Sequence, residues 1–95
     1  MTVKVVVQFK ARADSEDAFV AIMQAVSTDL PGVEGCQEVE VLQHQTDACR
    51  FTLVETWENQ DIHRRHIDGL VADGTWATIA ALLAEEPVSS YFKAL

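Results

Sequence analysis

Val3, Val5, Val7 and Phe9 alternate with Thr2, Lys4, Val6, Gln8 and Lys10, a period of two that predicts a strand with one well-buried face. The period then changes. Phe19, Ile22, Met23, Val26 and Leu30 recur at three-four spacing, which predicts a helix capped by Asp14 or Ser15, with Glu16 and Asp17 in its first turn and Pro31-Gly32 at its end. After the PGVEG loop, Val39 and Val41 alternate with Glu38, Glu40 and Leu42. Phe51, Leu53, Glu55 and Trp57 then alternate with Arg50, Thr52, Val54 and Thr56. Thr46-Asp47 between these runs predicts a hairpin. Asn59 is a suitable cap for a second helix to about Asp73-Gly74, TWATIAALLAEE continues as a further helix before Pro87, and VSSYFKAL reads as a short last strand.

The predicted order is β-α-β-β-α-β, with the second helical region interrupted at Gly74. Without linker, repeat or low-complexity tract, residues 1–95 read as a single domain of α+β class, a ferredoxin-like layer of helices on one face of an antiparallel sheet. Val6, and Val54 among its threonines, leave the opposite face only partly polar, the pattern of a sheet that packs on a second copy. Size points the same way, since a chain of 95 residues buries a modest share of its surface alone. A monomer with a mildly apolar face is the alternative.

The formal charge of −8 repels phosphate backbones and anionic head groups, so neither nucleic acid nor membrane is an expected partner. MTVKVVVQFKA lacks the apolar core of a signal peptide and no segment approaches a membrane span, so the expected location is cytoplasmic. Cys36 falls at the open end of the predicted hairpin and Cys49 at its turn. At about 3.3 Å per residue they are on the order of 30 Å apart, and both are expected to be free thiols.

The chemistry concentrates in ETWENQDIHRRHIDG, residues 55–69, with two of the three histidines and one of the two tryptophans. At roughly 100° per residue, Ile62, His66 and Leu70 share a helical stripe, with His63 and Ile67 beside it and Arg64, Asp61 and Asp68 on the opposite, solvated side. His66 is thus expected to point inward, toward a strand face carrying Phe51, Leu53, Glu55 and Trp57. A carboxylate beside an imidazole fixes its tautomer and tunes it for proton transfer near neutral pH. The plainer reading of Glu55 and His66 is a structural pair inside the core. His63 and His66 have metal-ligand spacing but no third ligand beyond Glu55, so no metal is assigned. Trp57 and Trp76 read as core or as pocket wall, and Tyr91 as a hydroxyl either near the pocket or at the surface. No phosphate loop, nucleophile elbow or dinucleotide fingerprint is present.

Taken together, the VVVQFKA strand, the capped helix with Phe19, the PGVEGC loop, RFTLVETWENQDIHRRHI and the final Tyr91-Phe92 resemble the antibiotic biosynthesis monooxygenase domain over nearly the whole chain. Glu55-x-Trp57 followed by Asp61 and His66 is the most specific element. The resemblance implies a dimeric α+β barrel, a homodimer joined sheet to sheet. It also implies a cofactor-independent, quinone-forming monooxygenase acting on a small aromatic or polycyclic phenol. In that reading His66 is the base or substrate orienter and Glu55 holds its imidazole. Phe51, Leu53, Trp57, His63 and Trp76 line the substrate pocket, and Tyr91 binds a substrate oxygen. Fold does not fix chemistry, and two alternatives stand beside it. One is a non-catalytic dimeric small-molecule-binding protein of the same fold. The other is a haem-degrading enzyme, whose strand-one asparagine is here Gln8 and whose second helix would carry a tryptophan that this chain lacks before Trp76.

Overall fold

The computed structural model describes residues 2–95. Strand β1 (Val3–Lys10) leads through a 3-10 turn into helix α1 (Glu16–Asp29). Strands β2 (Cys36–Gln43) and β3 (Arg50–Trp57) form the hairpin, helices α2 (Gln60–Ala72) and α3 (Thr75–Ala80) follow, and β4 (Val88–Phe92) closes the sheet. The sheet is antiparallel in the order β2-β3-β1-β4. This is the expected ferredoxin-like α+β topology, and β3, which carries Glu55, is an inner strand paired on both sides.

Cross-strand partners share a face, so the register sorts the sheet. Val5 opposes Glu55 and Tyr91, and Val7 opposes Leu53 and Ser89, on the face covered by helices. There Val5, Val7, Phe9, Phe19, Met23, Leu30, Phe51, Leu53 and Trp57 are buried. Phe19 stands between Phe9 and Phe51, with ring centroids 5.3 and 5.0 Å away, and burying each such ring contributes about 2–3 kcal/mol. The outer face carries half-buried Val6 and Val54 and exposed Leu42, Val88 and Phe92.

Two local expectations change. Ser15 occupies the α1 cap position, but its side chain makes no capping bond; its hydroxyl turns to Asp14 instead. The helix expected over TWATIAALLAEE stops at Ala80 because the following residues pair with the end of β1: Arg12 N–H donates to Leu82 O, Ala84 N–H donates to Lys10 O, and Leu83 bridges Ala11. The start of α2 is fixed as expected, Asn59 Oδ1 accepting from the Ile62 N–H at 2.9 Å. It is fixed a second time from the residue just before β2. Gly35, at φ +87°, presses against the Ile62 side chain, and its carbonyl accepts from Glu58 N–H at 2.8 Å.

Candidate active site

Between the sheet and the helices lies a cavity of about 720 Å³, within the range of roughly 300–1,000 Å³ typical of small-molecule sites. Its floor is Val7, Phe9, Leu53 and Glu55. One wall is the apolar stripe of α1, including Ile22, Met23 and Val26, and the other is built by α2 and α3 with His63, His66, Leu70 and Trp76. Tyr91 and Ser89 of β4 border it at the sheet's edge. The lining is mainly apolar; Glu55, His63 and His66 gather where α2 meets β3, and Asp29 at the end of α1 and Arg64 also border it.

Glu55 lies on an inner strand between Val5 and Val39, is 4% exposed, and has no cation at ion-pair distance among the described residues. Burial pushes its carboxyl above the usual range, and a hydrogen bond from Trp57 opposes that only in part. In that bond the indole Nε1–H of Trp57 donates to Glu55 Oε1. The two residues are two apart on one strand, so they stand side by side on the same face.

His63, not His66, is the fully enclosed imidazole. It is 4% exposed, its Nδ1 lies 2.8 Å from the Tyr91 hydroxyl, and its Nε2 is buried with no partner. Burial, with a smaller contribution from the neighbouring charge of His66, lowers its pKa to about 4. His66 is half-buried, and burial lowers its pKa too. Both rings flank Trp57, at centroid distances of 5.3 Å for His63 and 5.2 Å for His66. The imidazoles are held neutral around an indole that is itself fully buried.

Leu53, Glu55, His63, His66, Trp76 and Tyr91 therefore border one cavity. Two expected wall residues do not. Phe51 packs on Phe19 in the core, and Trp57 sits behind the histidines and reaches the cavity only through Glu55 and the two rings. The expected Glu55–His66 bond is replaced by the Glu55–Trp57 bond, because the strand geometry brings the indole N–H to the carboxylate first. Arg64, expected on the solvated side of α2, also borders the cavity, and so does the α1 stripe read only as core. The three-four spacing was the available signal for α1, but spacing alone does not separate core from cavity wall. Gln8, the counterpart of the haem-type asparagine, is exposed on the outer face opposite Thr52 and cannot point into this site. Among the described residues no cluster of three or more histidine, cysteine or acidic side chains could hold a metal ion, and no helix is long and apolar enough to cross a membrane.

No curated protein sequence matches the chain. Solved structures do. Rv0793 of Mycobacterium tuberculosis superposes with a TM-score of 0.84 at 20% identity, covering 100% of this chain and 96% of the other. PA3566 of Pseudomonas aeruginosa gives 0.84 at 17%, covering 99% and 94%. An antibiotic biosynthesis monooxygenase gives 0.86 at 15%, covering 98% of each chain. At these identities the likeness is one of fold. The sequence itself carries the further step, since the family model described as antibiotic biosynthesis monooxygenase matches residues 2–69, from β1 through the Glu55-x-Trp57 strand and into α2. The chain belongs to the antibiotic biosynthesis monooxygenase family.

Proposed function

We propose that the protein is a monooxygenase of the quinone-forming type that oxidises a small aromatic or polycyclic phenol without a bound cofactor, in the cavity between sheet and helices. The observation that carries this reading is a cavity of about 720 Å³ with a mainly apolar lining in which Glu55, His63 and His66 stand together. That volume also favours a ligand-binding site over a purely structural Glu55–histidine cluster.

The chemistry asks little of the protein. An anthrone or hydroquinone that loses a proton becomes an electron-rich anion able to pass an electron to O₂. In an anthrone the methylene carbon gives up two hydrogens and gains one oxygen atom, and the second oxygen leaves as water with those hydrogens. No external reductant is consumed. The protein must take the proton, seat the ring and keep water from the intermediate. Leu53, Trp76 and the α1 stripe seat the ring, Glu55 and His66 supply the proton chemistry, and His63 with Tyr91 closes the β4 side.

The same reading has the protein acting as a homodimer through the outer sheet face, where Val6 and Val54 pair at the middle and Phe92 lies exposed on the edge strand. The test of function is oxygen uptake on a panel of anthrones and hydroquinones with no added cofactor. Uptake above autoxidation that falls about a hundredfold in His66→Ala and Glu55→Gln is the expected result. Uptake at the autoxidation rate across the panel, with folded protein, would remove the proposal.

A further inference from the structure

Glu55, His63 and His66 all border the cavity, and they are not equivalent. His63 has Nδ1 engaged with Tyr91 and Nε2 enclosed by protein. His66 is half-buried on the helical side. Glu55 stands on the inner strand β3 with only its Oε1 engaged, by Trp57. Among the described residues the buried side-chain nitrogen or oxygen without a partner is His63 Nε2. Glu55 Oε2 has no hydrogen-bond partner yet is not enclosed in the way His63 Nε2 is, and Glu55 is part of the cavity lining. A carboxylate with one oxygen held and the other turned to open apolar space is costly as a structural element, and apolar neighbours such as Val5, Val39 and Leu53 show what the position would hold if packing alone decided it.

We propose that Glu55, aimed by the Trp57 indole, is the base that removes the acidic proton of the phenolic or anthrone-type substrate, while His66 donates to the oxygen that becomes negative. This rests on the function proposed above and assigns the proton within it. In the step the substrate O–H or benzylic C–H bond breaks and its electron pair stays on the ring system. The proton bonds to Glu55 Oε2, giving a neutral carboxylic acid. One negative charge is present before and one after, so the apolar cavity gains no charge. Burial strengthens a carboxylate as a base and weakens an imidazole, and the shifts of Glu55 and His66 follow those directions. The other titratable group facing Glu55 is the buried Cys36 thiol, itself pushed up by burial and by the Glu55 charge. It stays protonated and does not compete for the proton.

Glu55→Gln separates the base from the structural acceptor, because its amide oxygen still accepts from Trp57. Relief of the buried charge predicts that this variant unfolds at a higher denaturant concentration than wild type at neutral pH, a control for folding. The test is anaerobic exchange of the methylene hydrogens of 1,8-dihydroxyanthrone in D₂O at neutral pH, followed by NMR. Wild type is expected to speed the exchange above the buffer rate, and Glu55→Gln to lower the protein-catalysed rate about a hundredfold. His66→Ala should need more protein to saturate the probe yet still exchange it at saturation. Exchange at the buffer rate in wild type, or an undiminished rate in Glu55→Gln, would overturn the assignment. Admitting air afterwards tests the other layer. Catalysed exchange with no oxygen uptake beyond autoxidation would sink the monooxygenase reading and leave Glu55 as a base.

Discussion

The hydroxyl of Tyr91 lies 2.8 Å from Nδ1 of His63, joining the edge strand β4 to the helix that carries both site histidines. Their rings meet edge to face at a centroid distance of 5.4 Å. Strand β4 pairs only with β1, and each of its five residues is exposed, so this contact fastens an otherwise lightly packed strand over one side of the cavity.

Tyr91→Phe keeps the ring contact and removes the hydrogen bond. The expected loss is about 1 kcal/mol of stability by urea unfolding, together with faster amide exchange along Val88–Phe92. Unchanged exchange in β4 would show that pairing with β1 holds the strand without the tie.

His63 ties stability to pH. Its pKa falls from 6.5 in the unfolded chain to about 4 when folded, so over that interval the unfolded chain binds the proton that the native state refuses. His63 therefore makes stability fall as pH drops from about 6.5 toward 4. The raised Glu55 carboxyl acts in the opposite sense, lowering stability as pH rises from 4.5 through its folded value. Urea midpoints measured across this range should flatten on the acid side in His63→Leu. A slope that His63→Leu leaves intact would contradict this origin.

Gly35→Ala should be more damaging than the same change at Gly74. Both glycines have positive φ, +87° and +86°, but a Cβ on Gly35 would run into Ile62 Cγ2 while one on Gly74 meets nothing within 4 Å. Strain alone predicts about 1 kcal/mol at Gly74, and strain plus the displacement of α2 about 2 kcal/mol or more at Gly35. Thermal denaturation of the two variants in parallel gives the comparison, and equal losses would remove the role of the Ile62 contact.

For the proposed dimer, Val54→Arg places a charge at the centre of the outer face, between Val6 and Glu40. Light scattering should give a dimer mass for wild type and a monomer mass for the variant. A monomeric wild type at micromolar concentration would end the sheet-to-sheet proposal.

Alternation at Val3–Phe9 and Phe51–Trp57 makes the sheet and its buried face readable from residues alone, as Asn59 does for the start of α2. The finer geometry is not local. Helical phase defines the stripe containing His63 and His66 but not which edge of it faces β3, and the packing of Ile62 on Gly35 turns the His63 edge inward. Glu55 and Trp57 have the spacing of a same-face pair, but spacing alone does not say that the carboxylate bonds the indole rather than an imidazole. The early end of α3 has a similar cause, because Leu82 to Ala84 are drawn into pairing with the end of β1.

The strand order has a consequence for the chain's birth. β1 sits between β3 and β4, and Lys4 pairs with Phe92, across almost the entire sequence. Pairings this distant form late, because the intervening loop must be closed before any contact rewards it. During synthesis β1 leaves the ribosome long before its edge partner exists, and until β4 follows, one side of β1 is an open template for other nascent strands. The cavity thus acquires its last wall only when β4 has covered that side of β1, so ligand competence arrives with the last pairing of the sheet.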